Sequence, residues 1–200
     1  MRFFRLPSLI LVSVLVASAS MAQDAPTTTG PSGNTVSAPQ TPKTQAMLLD
    51  ALKRERDPDK ARSIANQIRS NWTDSGSATV NLLMQWANGS IEEKKNGAAL
   101  DFLDQVTLLQ PDYPEGWNRR ATLHFTMGDA RKSMADIHQV LLREPRYFPA
   151  IAGLATIFTQ AGEDEMALKA WERFLAVYPA EREARENVMK LTEKLAGSRT

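Results

Sequence analysis

Only two imidazoles, His124 and His138, and no cysteine occur in this 200-residue chain. Disulfides, thiol nucleophiles and cysteine-ligated metals are therefore excluded. A zinc-type site would need second and third ligands near one of the histidines, and none of the right kind lies at a workable spacing. His124 is expected to be a packed, hydrogen-bonded ring facing the core; His138, beside Asp136, Gln139 and Val140, is expected on a solvent-facing turn. Carboxylates gather at Glu163, Asp164 and Glu165, and at Glu92 and Glu93 next to Lys94 and Lys95. The first group reads as the acidic opening of a helix, complementing its dipole, and the second as a solvated turn. Acid–base hydrolysis needs two such groups converging on one pocket, which exposed helix ends do not provide. Phosphate-cradling Gly-rich loops, G-x-S-x-G elbows and H-E-x-x-H helices do not occur in the sequence. A non-enzyme with no metal and no cofactor is expected. One opposed pair, Arg120 and Asp136, is interpretable only from the longer-range order of the chain.

Pro111, Pro145 and Pro179 recur every 34 residues, each after an apolar run that ends a helical pattern, and Gly128 and Gly162 keep the same step. A period near 34 is that of a helix-turn-helix unit that stacks on its neighbours to bury a shared core. Upstream, Met47, Leu48, Ala51 and Leu52 share one helical face that stops at Asp57-Pro58-Asp59. Ala61, Ile64, Ala65 and Ile68 then form the stripe of a second helix running to Trp72. Together these read as a degenerate helical pair over 44–79. Downstream, Ala184, Val188, Leu191 and Leu195 alternate with charged residues in an amphipathic helix suited to cap a stack. The expected fold is all-α, a superhelical stack of about seven helices. Its units are placed at 80–113, 114–147 and 148–181, between the leading pair and a cap with tail at 182–200.

With each proline counted as place 32 of a unit, the middle unit has Trp117 at place 4, Ala121 at 8, Gly128 at 15 and Ser133 at 20. The third unit has Ile151, Ala155, Gly162 and Ala167 at those places. The first has Leu83, Ala87 and Ala99, but Lys94 in place of the glycine, so its turn is expected to be irregular. Small residues at places 8 and 20 let two antiparallel helices approach closely. Places 7 and 23 oppose one another across each hairpin: Trp86 with Phe102, Leu154 with Ala170, and Arg120 with Asp136. In the middle unit an ionic contact thus replaces an apolar one. A buried Arg left unpaired costs roughly 3–5 kcal/mol, so Arg120 and Asp136 are expected to form a structural salt bridge.

This pattern resembles the tetratricopeptide repeat (TPR), well over 80–200 and weakly over 44–79. The resemblance implies a right-handed superhelix whose concave groove is lined by places 2, 5, 9 and 12 of each unit. Those are Asn81, Met84, Asn88 and Ile91, then Glu115, Asn118, Thr122 and Phe125, then Ala152, Thr156 and Thr159. Amides, hydroxyls, one Met and one Phe make a neutral groove suited to an extended peptide or a partner helix. The TPR clamp for a C-terminal carboxylate needs Lys, Arg and Asn at places 5 and 9. Met84, Asn118, Ala152, Asn88, Thr122 and Thr156 hold those places, so that clamp lacks its cations.

Residues 1–22 carry Arg2 and Arg5, an apolar run over 9–17 and small residues ending Ser20-Met21-Ala22. That is the order of a secretory signal peptide cut after Ala22. An uncleaved anchor is the alternative, but the run is shorter than the roughly 20 residues a bilayer core needs. Residues 23–43, dominated by Thr, Ser, Pro, Gly and Gln, bury too little surface to offset ordering and read as a disordered tether. Without a cysteine for lipid attachment, the cleaved chain is expected to keep no stable membrane anchor and to stay in the periplasm of a Gram-negative cell. Loss of Arg2 and Arg5 leaves 22 basic against 23 acidic residues, a balance that gives no reason to expect nucleic-acid binding. Finally, Glu115-Gly116-Trp117-Asn118-Arg119-Arg120-Ala121-Thr122 and Glu144-Pro145-Arg146-Tyr147-Phe148 resemble exported bacterial TPR proteins of the cell envelope. That resemblance implies a monomeric periplasmic adaptor for an envelope protein, supporting envelope integrity. The alternative is an accessory factor that binds cell-wall peptide or glycan, or assists a cell-wall enzyme or secretion system.

Overall fold

A computed structural model describes residues 42–197. The leader read at 1–22 and all but the last two residues of the tether read at 23–43 lie outside them. The described residues form nine α-helices and no strand: α1 (Pro42–Arg54), α2 (Pro58–Thr73), α3 (Ala78–Glu92), α4 (Asn96–Leu109), α5 (Pro114–Thr126), α6 (Ala130–Arg143), α7 (Phe148–Ala161), α8 (Asp164–Val177) and α9 (Arg182–Gly197). The expectation of about seven was an undercount, since three hairpins, a leading pair and a cap need all nine. The fold is an all-α helical-repeat solenoid.

Local chemistry sets the helix ends. The Asp57 carboxylate accepts from the backbone N–H groups of Asp59 and Lys60 at the start of α2, and Asp129 accepts from that of Lys132 at the start of α6. Each satisfies donors that a helix cannot satisfy itself. Proline opens α1, α2 and α5, where its missing N–H is not needed.

Three turns share one backbone pattern. The N–H of Lys94, Gly128 and Gly162 bonds to the carbonyls of Ile91, Phe125 and Thr159, and the next N–H to those of Ser90, His124 and Phe158. Gly128 and Gly162 hold this left-handed turn at φ of 83° and 75°. Lys94 adopts 58° at the same place. The turn expected to be irregular is therefore regular, and its lysine occupies a region in which a Cβ costs about 1–2 kcal/mol.

Two apolar clusters divide the molecule unexpectedly. The first unit keeps its own: Val80, Met84, Ala87, Ala99, Leu103 and Val106, closed by Tyr113 and Leu123. In the other, Leu49, Leu52, Ala61, Ala65, Ile68 and Trp72 of the leading pair join Tyr147, Phe148, Phe174 and Tyr178. The leading pair therefore packs on α5 and α8, with no comparable contact to α3. Trp72 stacks on Tyr147 with centroids 4.0 Å apart, and Arg69 lies 5.0 Å over the Phe148 ring. Arg146 reaches back to Asp50 at 2.7 Å.

The consequence shows at α3. Within the stack, place 3 rests on the preceding unit: a Cβ on Gly116 would come 2.6 Å from the Val106 side chain. Leu82 and Trp86, at places 3 and 7 of the first unit, have no preceding helix and stay 42% and 50% exposed. Trp86 keeps a tilted contact with Phe102, with ring centroids 5.6 Å apart.

Candidate functional site

The charges of the middle unit close on themselves. Arg120 donates from Nε and Nη2 to the two Asp136 oxygens at 2.9 and 2.7 Å, and from Nη1 to Asp104 at 2.7 Å and Thr107 Oγ1 at 3.1 Å. It therefore ties α5 to α6 of its own unit and to α4 of the unit before. The bond to Asp136 holds the guanidinium pKa above its usual value. Trp117 lies between two such cations, 4.8 Å from Arg120 and 5.0 Å from Arg143. His124 is buried with Nε2 3.9 Å from Asp136, which is beyond hydrogen-bond reach. The buried ring faces that carboxylate without a bond to it. His138 is exposed, and among the described residues no three His, Asp or Glu side chains gather around one point that could hold a metal.

Two of the open clefts along the first helices of the units hold residues of the groove places. One, of about 310 Å³, is bounded by Thr73 and Asp74 after α2, by Asn81, Met84, Gln85 and Asn88 of α3, and by Glu115 and Arg119 of α5. The other, of about 130 Å³, lies between α5, α6 and α7 and holds Asn118, Thr122, Phe125 and Thr156 around a floor that includes Ile137 and Ile157. Buried tyrosines stand behind the first. Tyr147 donates its hydroxyl to Glu115 Oε2, and Tyr113 donates to the Thr73 carbonyl at 2.8 Å. Burial, reinforced by the Glu115 charge, raises both phenol pKa values well above the usual range. Glu115 also accepts from Asn118 at 2.9 Å and Arg119 at 3.2 Å.

No known family model matches the chain. A TPR repeat-containing protein of Rhizobium etli is 65% identical over 153 residues, which cover 76% of this chain and 75% of that relative. The chain belongs to the TPR family. Among solved structures, the first TPR of Spaghetti (RPAP3) bound to an HSP90 peptide is similar at a TM-score of 0.55 and 22% identity, over 60% of this chain and 95% of that one. The Sgt2 TPR domain of Aspergillus fumigatus gives 0.55 at 17% identity, over 62% and 83%. The MamA protein gives 0.52 at 15%, over 76% and 83%. At these identities the likeness is one of fold.

In this TPR protein most of the residues at the groove places gather at the two clefts. Asn81, Met84, Asn88 and Glu115 meet at the first cleft, and Asn118, Thr122, Phe125 and Thr156 at the second. Ala152 packs against the core and Thr159 is exposed with its hydroxyl on the Ala155 carbonyl; neither lines a cleft. Met84 and Glu115 are buried, so they are floor rather than free contact surface. The groove is also not neutral. Arg119 at place 6 and Asp74 from the inter-helix turn contribute charges that the groove places do not count. Sequence reading missed Tyr113 and Tyr147 as well, although a Pro-x-Tyr recurring at the 34-residue step marks both.

Proposed function

We propose that this chain is a non-enzymatic, exported interaction module, a periplasmic adaptor that holds a peptide or helix of an envelope protein along its first helices. The reading rests chiefly on the two open clefts, which place amides and hydroxyls beside apolar floor, the combination used to bind extended chain. TPR membership supports a protein partner. Export rests on the Arg2, Arg5, apolar run and Ser20-Met21-Ala22 order. Among the described residues no helix is long and apolar enough to cross a membrane. The carboxylates of the middle of the stack are committed to structural partners: Asp136 and Asp104 to Arg120, and Glu115 to Tyr147.

A photo-reactive residue at the exposed Thr122, with Lys190 on α9 as control, tests the binding half in living cells, and osmotic-shock fractionation tests the export half. A single envelope protein trapped from Thr122 alone, with the adaptor in the shock fluid, is the expected result. Equal capture from both positions rejects the groove, and retention in the cytoplasm with residues 1–22 uncleaved rejects the adaptor's location.

A further inference from the structure

The first cleft has an uneven polar lining. Asn88 Oδ1 and Arg119 Nε are buried atoms without any hydrogen-bond partner, and buried polar groups left unpaired are uncommon in native proteins. Around them the charges do not cancel. The Glu115 charge faces Arg119 across 3.2 Å, but Asp74 enters no salt bridge among the described residues. Both bonds that Asp74 accepts, from Gly76 N–H and Asn81 Nδ2, end on Oδ1 at 2.9 Å. Oδ2 is left for an outside donor.

An N–H for Asn88, a carbonyl for Arg119 and a cation for Asp74 would complete this lining. One peptide group supplies the first two, and a basic side chain supplies the third. We propose that this cleft takes an extended peptide segment through a lysine or arginine side chain, with Asp74 as the charge that selects it. The proposal rests on the peptide-binding reading above and names its ligand class. It is opposite in sign to a site built for an acidic tail. The end of α2 forms one wall of the cleft, so the leading pair helps to build it.

Three ten-residue fluorescein-labelled peptides, identical in an Ala-Ser-Leu background except for a central Arg, Gln or Glu, test it by anisotropy against the whole protein. The Arg peptide should bind about tenfold tighter than the Glu peptide, the size of one partly screened charge-assisted contact, and the margin should shrink with added salt. Asp74 is exposed, so Asp74→Asn should fold normally and reduce the Arg-over-Glu margin to about twofold or less. Asn88→Ala should instead weaken the Arg and Gln peptides by the same factor. Arg and Glu peptides bound equally well would overturn the cation site while leaving the peptide-binding reading intact. If no peptide bound, both would fall.

Discussion

Arg120 is the side chain on which the middle of the stack converges, and its two carboxylate partners are not equivalent. Asp136 is buried while Asp104 is 60% exposed at its side chain. Removal of Arg120 strands Asp136 in a dry site with only His124 nearby. Arg120→Ala is therefore expected to cost about 3–5 kcal/mol, and Asp104→Ala about 0–1 kcal/mol, measured by urea unfolding of each variant. Lys94 offers the opposite sign. Its side chain is exposed and its φ is 58°, so Lys94→Gly removes strain without losing packing and should stabilise by about 0.5–1 kcal/mol. A lower melting temperature in that variant would mean that the turn is held by the lysine side chain after all. The tyrosines set an alkaline limit. A phenol whose folded pKa is raised contributes stability that is complete below its unfolded value, about 10, and is lost as pH climbs through and beyond it. Melting temperature should therefore hold up to about pH 10 and fall progressively above it. Tyr147→Phe should start lower at neutral pH, because Glu115 loses a donor, yet decline less steeply there.

Between elements, fit is decided at the crossing points. Gly116 on α5 sits against Val106 of α4 so closely that a Cβ would arrive at 2.6 Å, whereas on Gly153 of α7 it would meet Ile137 at an ordinary 3.5 Å. Gly116→Ala is thus expected to destabilise by about 1–3 kcal/mol. Gly153→Ala should be neutral or stabilising by up to about 1 kcal/mol, because alanine is the better helix former. Paired thermal melts check both. The sequence marked these elements well because their signals are local and periodic: the cap at Asp57, glycines at 128 and 162, prolines every 34 residues. The Arg120–Asp136 pairing was legible for the same reason, since place 7 and place 23 are fixed by the period. Asp74 and Arg119 were not, because neither occupies a groove place in that period. Asp74 reaches the first cleft only through the path of the turn after α2. Glu115 was read as contact surface because the reach of Tyr147 from the far end of the same unit is a tertiary fact.

At the scale of the whole molecule, order along the chain and order in space diverge at the leading pair. A pair over 44–79 reads as the first rung of the stack because it precedes the first unit in sequence. Its stripe of Leu49, Leu52, Ala61, Ala65, Ile68 and Trp72 is nevertheless buried with Phe148, Phe174 and Tyr178, and aromatic rings are the reason. Tyr147 and Phe148 both lie within stacking or tilted contact of Trp72, at 4.0 and 5.3 Å. Trp72→Ala should therefore cost about 3–5 kcal/mol, and Trp86→Ala, half-exposed at the open end of α3, far less. The location of the damage is more telling than its size. Were α1 and α2 a rung stacked on the first unit, Trp72→Ala would open α3 and α4. Because they are seated on the later units, amide hydrogen exchange should instead accelerate in α7 and α8, together with α1 and α2. The interior of the first unit, with its separate cluster around Leu103 and Val106, should stay protected. Loss of protection confined to α3 and α4 would return the pair to the front of the stack.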